Sequence, residues 1–262
     1  MRSGKLVAAF AVLLVVSFAT MNAMPSDTLL AALLQEAVLA LVALVAVGLA
    51  VPDALKRCTQ TVQQRSIVRF TAITLLLVGL VGGAITLLAW LFAGGGTMAC
   101  FASTALPSTA DLMENLLILL GICLLTGLYE ESFMRVLGIE AFERALDTKR
   151  TILASAALFA LLHVGAPDVS AGQLVLLQTA LKFGQALLFG VILGALYVRT
   201  RRLWPCAFIH AGFDVLYMAP NVLLTGTMPE TYASGAVGDT VLLAVSVLML
   251  AGIVLKIRKE IA

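Results

Sequence analysis

The chain has 262 residues, of which 61% are hydrophobic and 12% charged, with a formal net charge of +2. Soluble domains carry about 45–50% apolar and about 25% charged residues. A mean hydropathy of +1.05 therefore excludes a water-soluble enzyme, a nucleic-acid binder and a disordered tail, and leaves an all-α polytopic membrane bundle, one embedded domain over residues 1–262.

A helix crosses the roughly 30 Å hydrocarbon core in about 20 residues. Long apolar runs predict eight spans in chain order: 6–24, 29–51, 67–93, 113–138, 151–164, 174–198, 203–224 and 237–256. Pro25, Pro52, Gly94 to Gly96, Pro167 and Pro220 bound most of them. The first run begins basic and reaches a small residue at Ala23, as a signal peptide does, but Met21 and Asn22 make a poor cleavage site. It reads as a retained helix. The fifth run, at 14 residues, is short. The segment 139–150 sets Ile139, Phe142, Ala145 and Leu146 among charges, the pattern of an interfacial helix.

Basic residues set the orientation. Arg2 and Lys5 precede the first span, and Lys56, Arg57, Arg65 and Arg69 lie between the second and third. Arg135, Arg144, Lys149 and Arg150 sit between or at the ends of the fourth and fifth, Arg199, Arg201 and Arg202 separate the sixth from the seventh, and Lys256, Arg258 and Lys259 close the eighth. With eight spans, 16 of the 17 basic residues share one side. The opposite loops carry Asp27, Asp111, Glu114, Asp168, Glu230 and Asp239, without Lys or Arg. The positive-inside rule then predicts both termini in the cytoplasm. Of the four cysteines only Cys100 falls on the far side, so no intrachain disulfide is expected there.

Ionisable side chains inside a span are costly and mark function. Both histidines of the chain, His163 and His210, fall inside apolar runs. Asp214 follows His210 by four residues and shares its helix face. At 1.5 Å per residue, His210 and Asp214 lie roughly 12 and 18 Å above Arg202, and His163 about 20 Å above Arg150. Extending the fourth helix to Glu140 brings Glu131 to a comparable depth, near 13 Å. Arg135 is then buried, and Glu131 one turn earlier is its expected ion-pair partner, while Glu130 points about 100° away. Glu36 and Lys182, outside the spacing shared by the other polar residues, read as snorkelling or hydrogen-bonded residues, with a substrate contact as the alternative, and Gln178 and Gln185 as interhelical hydrogen bonders.

Three motifs occur in order. Tyr129-Glu130-Glu131-Ser132-Phe133-Met134-Arg135 fits Glu-Glu-x-x-x-Arg, Phe159 to His163 fits Phe-x-x-x-His, and His210 to Asp214 fits His-x-x-x-Asn/Asp. Together they resemble the CPBP intramembrane proteases, which include type II CAAX prenyl endopeptidases and bacteriocin-immunity proteins. The resemblance covers residues 128–220, the fourth to seventh spans. Two positions depart from the common pattern: Val136 stands where Gly often follows the Arg, and Asp214 where Asn is frequent. An Asn amide can donate to an oxyanion; an ionised Asp cannot.

The resemblance implies an endopeptidase acting on a membrane-associated protein or peptide. Peptide hydrolysis needs an activated water, a base and stabilisation of the tetrahedral intermediate. Glu130 and His163 would activate the water, and His210 and Asp214 would stabilise the oxyanion. Alternatively His163, His210, Glu130 and Asp214 would hold a catalytic zinc. Three carboxylates against Arg135 leave a charge of −2, which a dication would neutralise. Neither His-Glu-x-x-His nor Gly-x-Ser-x-Gly occurs. The rival class is a non-enzymatic membrane protein, a small transporter, proton relay or scaffold, because buried His, Glu and Asp also relay protons. The short loops look bacterial and suggest the inner membrane, with lipid and a peptide substrate as partners.

Overall fold

The computed structural model describes residues 2–24, 27–59, 65–91, 107–164, 170, 172–228 and 233–261. The chain runs through α1 (Arg2–Ala23), α2 (Leu29–Ala50), α3 (Pro52–Thr59), α4 (Arg65–Leu91) and α5 (Thr109–Glu131). A π-helical segment (Ser132–Ile139) leads into α6 (Glu140–Phe142), followed by α7 (Thr148–Val164), α8 (Gln173–Thr200), α9 (Leu203–Thr225) and α10 (Val237–Ile261). No strand occurs among the described residues. Cys100, Gly94 to Gly96, Pro25, Pro167, Asp168 and Glu230 lie outside them.

Among the described residues, seven helices are long and apolar enough to cross a membrane, on α1, α2, α4, the continuous run Thr109–Phe142, α8, α9 and α10. The eighth expected span is α7, whose 17 residues extend about 25 Å. Two boundaries differ from expectation. Residues 139–150 do not form a separate interfacial helix: Glu140–Phe142 continues the fourth helix, a turn follows, and α7 starts at Thr148. The apolar residues that suggested an interfacial face belong to this corner, where Phe142 meets Phe10 of α1 at a ring distance of 6.3 Å. The eight-residue helix α3, which starts at Pro52, is short and mostly polar, so a search for long apolar runs passes over it.

Local chemistry fixes the helix starts. Thr28 caps α2 by accepting from the Ala31 amide, and Ser108 with Asp111 forms a reciprocal capping box on α5. In lipid, helices gain little from burying apolar surface against each other, so small residues that let backbones approach set the packing. At Gly127 a Cβ would stand 2.6 Å from the Ala207 carbonyl oxygen, which brings α5 against α9. At Gly190 it would stand 2.9 Å from the Ala156 Cα, which brings α8 against α7. These two contacts frame the polar centre of the bundle.

One end of the bundle is tied by charge. Arg57 pairs with Glu140 at 3.0 Å, and Arg201 pairs with Glu143 at 2.6 Å and Glu140 at 3.6 Å. Tyr197 donates to Glu140 at 3.3 Å. Arg201 takes a left-handed backbone, φ 52°, to close α8. Three basic loops therefore meet at one end. Gln178 donates to the Ala236 carbonyl and accepts from the Gly235 amide, joining α8 to the start of α10.

Candidate active site

The polar centre is built on the π-helical segment. π-helical turns are rare and often occur at functional sites, and here all eight residues of the segment are buried. Arg135, inside it, reaches back to Glu131 with Nε 2.9 Å from Oε2, both side chains fully buried. The guanidinium also donates to Ser155 Oγ of α7 at 3.2 Å and stands 4.9 Å from the centre of the Phe159 ring. Ser155 in turn donates to the Met134 carbonyl at 2.8 Å. A buried charge pair survives only when its remaining donors and acceptors are satisfied, and Ser155 serves that end.

Glu131 has a second task. Its Oε1 accepts from His210 Nδ1 at 2.9 Å, across the α5–α9 contact made at Gly127. His210 Nε2 then faces Glu130 Oε2 at 3.5 Å and Asp214 Oδ2 at 3.4 Å. On α7, His163 Nδ1 meets the Phe159 carbonyl at 2.8 Å. A carbonyl only accepts, so Nδ1 carries the proton. His163 Nε2 is left facing Glu130 Oε2 at 3.6 Å. Both imidazoles thus point Nε2 at one carboxylate oxygen, and that oxygen has no hydrogen-bond partner. Phe159 lies 4.2 Å from the His163 ring, and Phe189 meets His210 edge-on at 5.2 Å. The aromatic rings fix the orientation of both imidazoles.

Two cavities meet this cluster. The larger, about 500 Å³, is bounded by α1, α2, α5 and α7 and is lined by Leu14, Glu36, Leu39, Tyr129, Glu130 and His163 among others. The smaller, about 40 Å³, lies between His163, Lys182, Gln185, His210 and Asp214. Lys182 Nζ donates to Gln185 Oε1 at 3.0 Å and stands 5.0 Å from the Tyr217 ring centre. Gln185 donates to Ser246 of α10 at 2.7 Å.

The structure brings Glu130, His163, His210 and Asp214 into one cluster, with Glu131 and Arg135 beside it. Glu36 and Lys182 each line a cavity at the cluster, and Lys182 is hydrogen-bonded as expected. Their hydropathy context is uniformly apolar, so nothing local told which way either side chain faces. Ser155 and Gly127 were not singled out at all. Three short motifs carry the cluster, whereas its supports come from single residues on other helices.

A metal fits this cluster only in part. With zinc-to-ligand bonds of about 2.1 Å, a tetrahedral site separates its ligand atoms by roughly 3.4 Å. The three separations of 3.4 to 3.6 Å around Glu130 Oε2 and His210 Nε2 are of that size. No group of three or more His, Cys, Asp or Glu among the described residues is arranged to hold an ion. Lys182 also changes the charge count. With it and an imidazolium at His210, three cations would stand among the three carboxylates of the cluster, and Glu36 is a fourth carboxylate at the larger cavity.

Residues 112–216 match the family model Type II CAAX prenyl endopeptidase Rce1-like, in line with the resemblance carried by the three motifs. All seven defining residues of the motifs lie inside the match, whereas α1, α2, α3, α4 and α10 lie outside it. No curated protein matches the chain.

Proposed function

We propose that this chain is an intramembrane endopeptidase that hydrolyses a peptide bond of a membrane-associated protein or peptide. The observation that carries the reading is the convergence of both histidine Nε2 atoms on Glu130 Oε2 at the wall of a 500 Å³ cavity within an apolar bundle. A water held by Glu130 and His163 would give one proton to Glu130 as its oxygen bonds to the scissile carbonyl carbon. His210 would donate from Nε2 to the resulting oxyanion. Donation from both ring nitrogens requires the imidazolium form, and Glu130, Glu131 and Asp214 supply its countercharge. Glu130 would then return the proton to the leaving nitrogen as the C–N bond breaks.

Zinc is a second reading, favoured by the separations around Glu130 and His210. His163, His210, Glu130 and Asp214 would hold it, and when bound it would polarise the scissile carbonyl as a Lewis acid. In both readings the basic end of the bundle faces the cytoplasm, in the inner membrane of a bacterial cell.

The test is terminal-peptide profiling of membranes carrying wild type or Glu130→Gln. A set of new termini present with wild type and lost with the variant is the expected result. Identical termini in both, with a solute flux that depends on Glu130, would replace the protease with a transporter or proton relay.

A further inference from the structure

Glu36 of α2 stands in the larger cavity outside the cluster described above. It sits roughly 10 Å along α2, inside a span, where a carboxylate needs a partner. The Thr126 side chain hydrogen-bonds the carboxyl, but Oε2 is buried without a hydrogen-bond partner, and no ion pair to Glu36 occurs among the described residues. The cavity holds a second carboxylate, Glu130, and no Lys or Arg among the described residues lines it. Most of its wall is apolar, from Leu14, Phe18, Leu39, Phe133 and Leu162. Phe18 and Met21 of α1 and Leu162 of α7 are also exposed on the outside of the bundle at 63%, 59% and 42%. The cavity therefore opens sideways between α1 and α7, on the surface that lipid covers.

An apolar chamber with two carboxylates and no fixed cation attracts one kind of peptide. Apolar side chains fill the wall, a positive side chain pairs with the free Oε2 of Glu36, and an acidic one is repelled. Glu130 faces both histidine Nε2 atoms and is assigned to the water, so Glu36 is the carboxylate left for a side chain of the ligand. We propose that Glu36 is a specificity site, taking a Lys or Arg side chain of an otherwise apolar, membrane-inserted peptide and so setting which bond lies at Glu130. The inference rests on the protease reading for its role in cleavage, and on the cavity alone for binding.

Binding is tested with purified Glu130→Gln protein in phosphatidylcholine nanodiscs, which holds the peptide without cutting it. The probes are leucine–alanine peptides of about 20 residues, capped at both ends, with a central lysine, norleucine or glutamate. The lysine peptide is expected to bind about tenfold more tightly than the norleucine peptide, and the glutamate peptide more weakly still. Adding Glu36→Gln should erase the difference, and Glu36→Lys should reverse it in favour of glutamate, which guards against a variant that merely misfolds. Equal affinities, or a lysine preference untouched at Glu36, would overturn the proposal. Wild type is assayed for cleavage of the same peptides: failure of cutting alone defeats the protease reading and leaves the cation site standing.

Discussion

Glu131 holds two side chains at once, Arg135 through Oε2 and His210 through Oε1. It is therefore both a countercharge and a positioning residue. Glu131→Gln strands Arg135 in an apolar setting at a cost of about 3–5 kcal/mol and lowers the amount of folded protein, read by thermal melting in detergent. Glu130→Gln should melt close to wild type and lose cleavage. The double variant Glu131→Gln with Arg135→Met should regain much of the stability and remain inactive, because His210 has lost its anchor. Recovery of activity in the double variant would reduce Glu131 to a countercharge. Asp214→Asn separates the two chemical readings. With balanced charge in the cluster, the Asn protein should still cleave in the presence of a zinc chelator. Loss of cleavage together with loss of bound zinc, measured by elemental analysis, would establish the metal site instead.

Much of the cluster was legible because ionisable residues in apolar runs are so few that spacing nearly forces them together: two histidines, two adjacent glutamates and an aspartate. The bond from Glu131 to His210 was not legible. It depends on how close α5 comes to α9, and that distance is set by Gly127 facing Ala207, one turn before each of the two polar residues. For the same reason the sequence names Glu36 and Lys182 without choosing between their roles, since in a wholly apolar helix the hydropathy pattern does not tell an inward face from a lipid face.

At the scale of elements, the α5–α9 contact is the joint on which the cluster depends. A Cβ at position 127 collides with backbone, which cannot swing aside as a side chain can. Gly127→Ala should push the helices apart, cost about 1–3 kcal/mol as overpacked cores do, and reduce cleavage more than the loss of folded protein explains. The comparison is turnover per folded molecule, quantified by size-exclusion chromatography. An active, fully stable Gly127→Ala protein would show that the helices tolerate separation. The π-helical winding over Ser132–Ile139 could not be read beforehand, because its side-chain pattern departs little from an α-helix over two turns. Winding is decided by tertiary partners, here Ser155 and Phe159 around Arg135. The corner at Glu140–Phe142 was misread for a related reason: charges beside apolar residues mark a membrane boundary, and a helix end and an interfacial helix look alike there.

For the whole molecule, the charge distribution predicts the orientation and the structure supplies its geometry. Arg57, Glu140, Glu143 and Arg201 meet at one end, as expected if the loops that carry them lie on one side of the bilayer. An impermeant thiol reagent applied to intact cells should label Cys100 and spare Cys58. Labelling of Cys58 from outside would invert the arrangement.

The shortness of α7 acts on the solvent rather than on the fold. At about 25 Å it falls short of the roughly 30 Å hydrocarbon core, and it forms one wall of the opening through which the larger cavity meets lipid. Acyl chains beside it must thin or tilt to meet its polar ends. Hydrophobic mismatch thus shortens the path by which water reaches His163, in the last turn of that helix. Hydrolysis consumes water, so bilayer thickness becomes a control on turnover. Reconstitution in phosphatidylcholines of increasing acyl length should slow cleavage progressively while binding of an uncleavable peptide changes little.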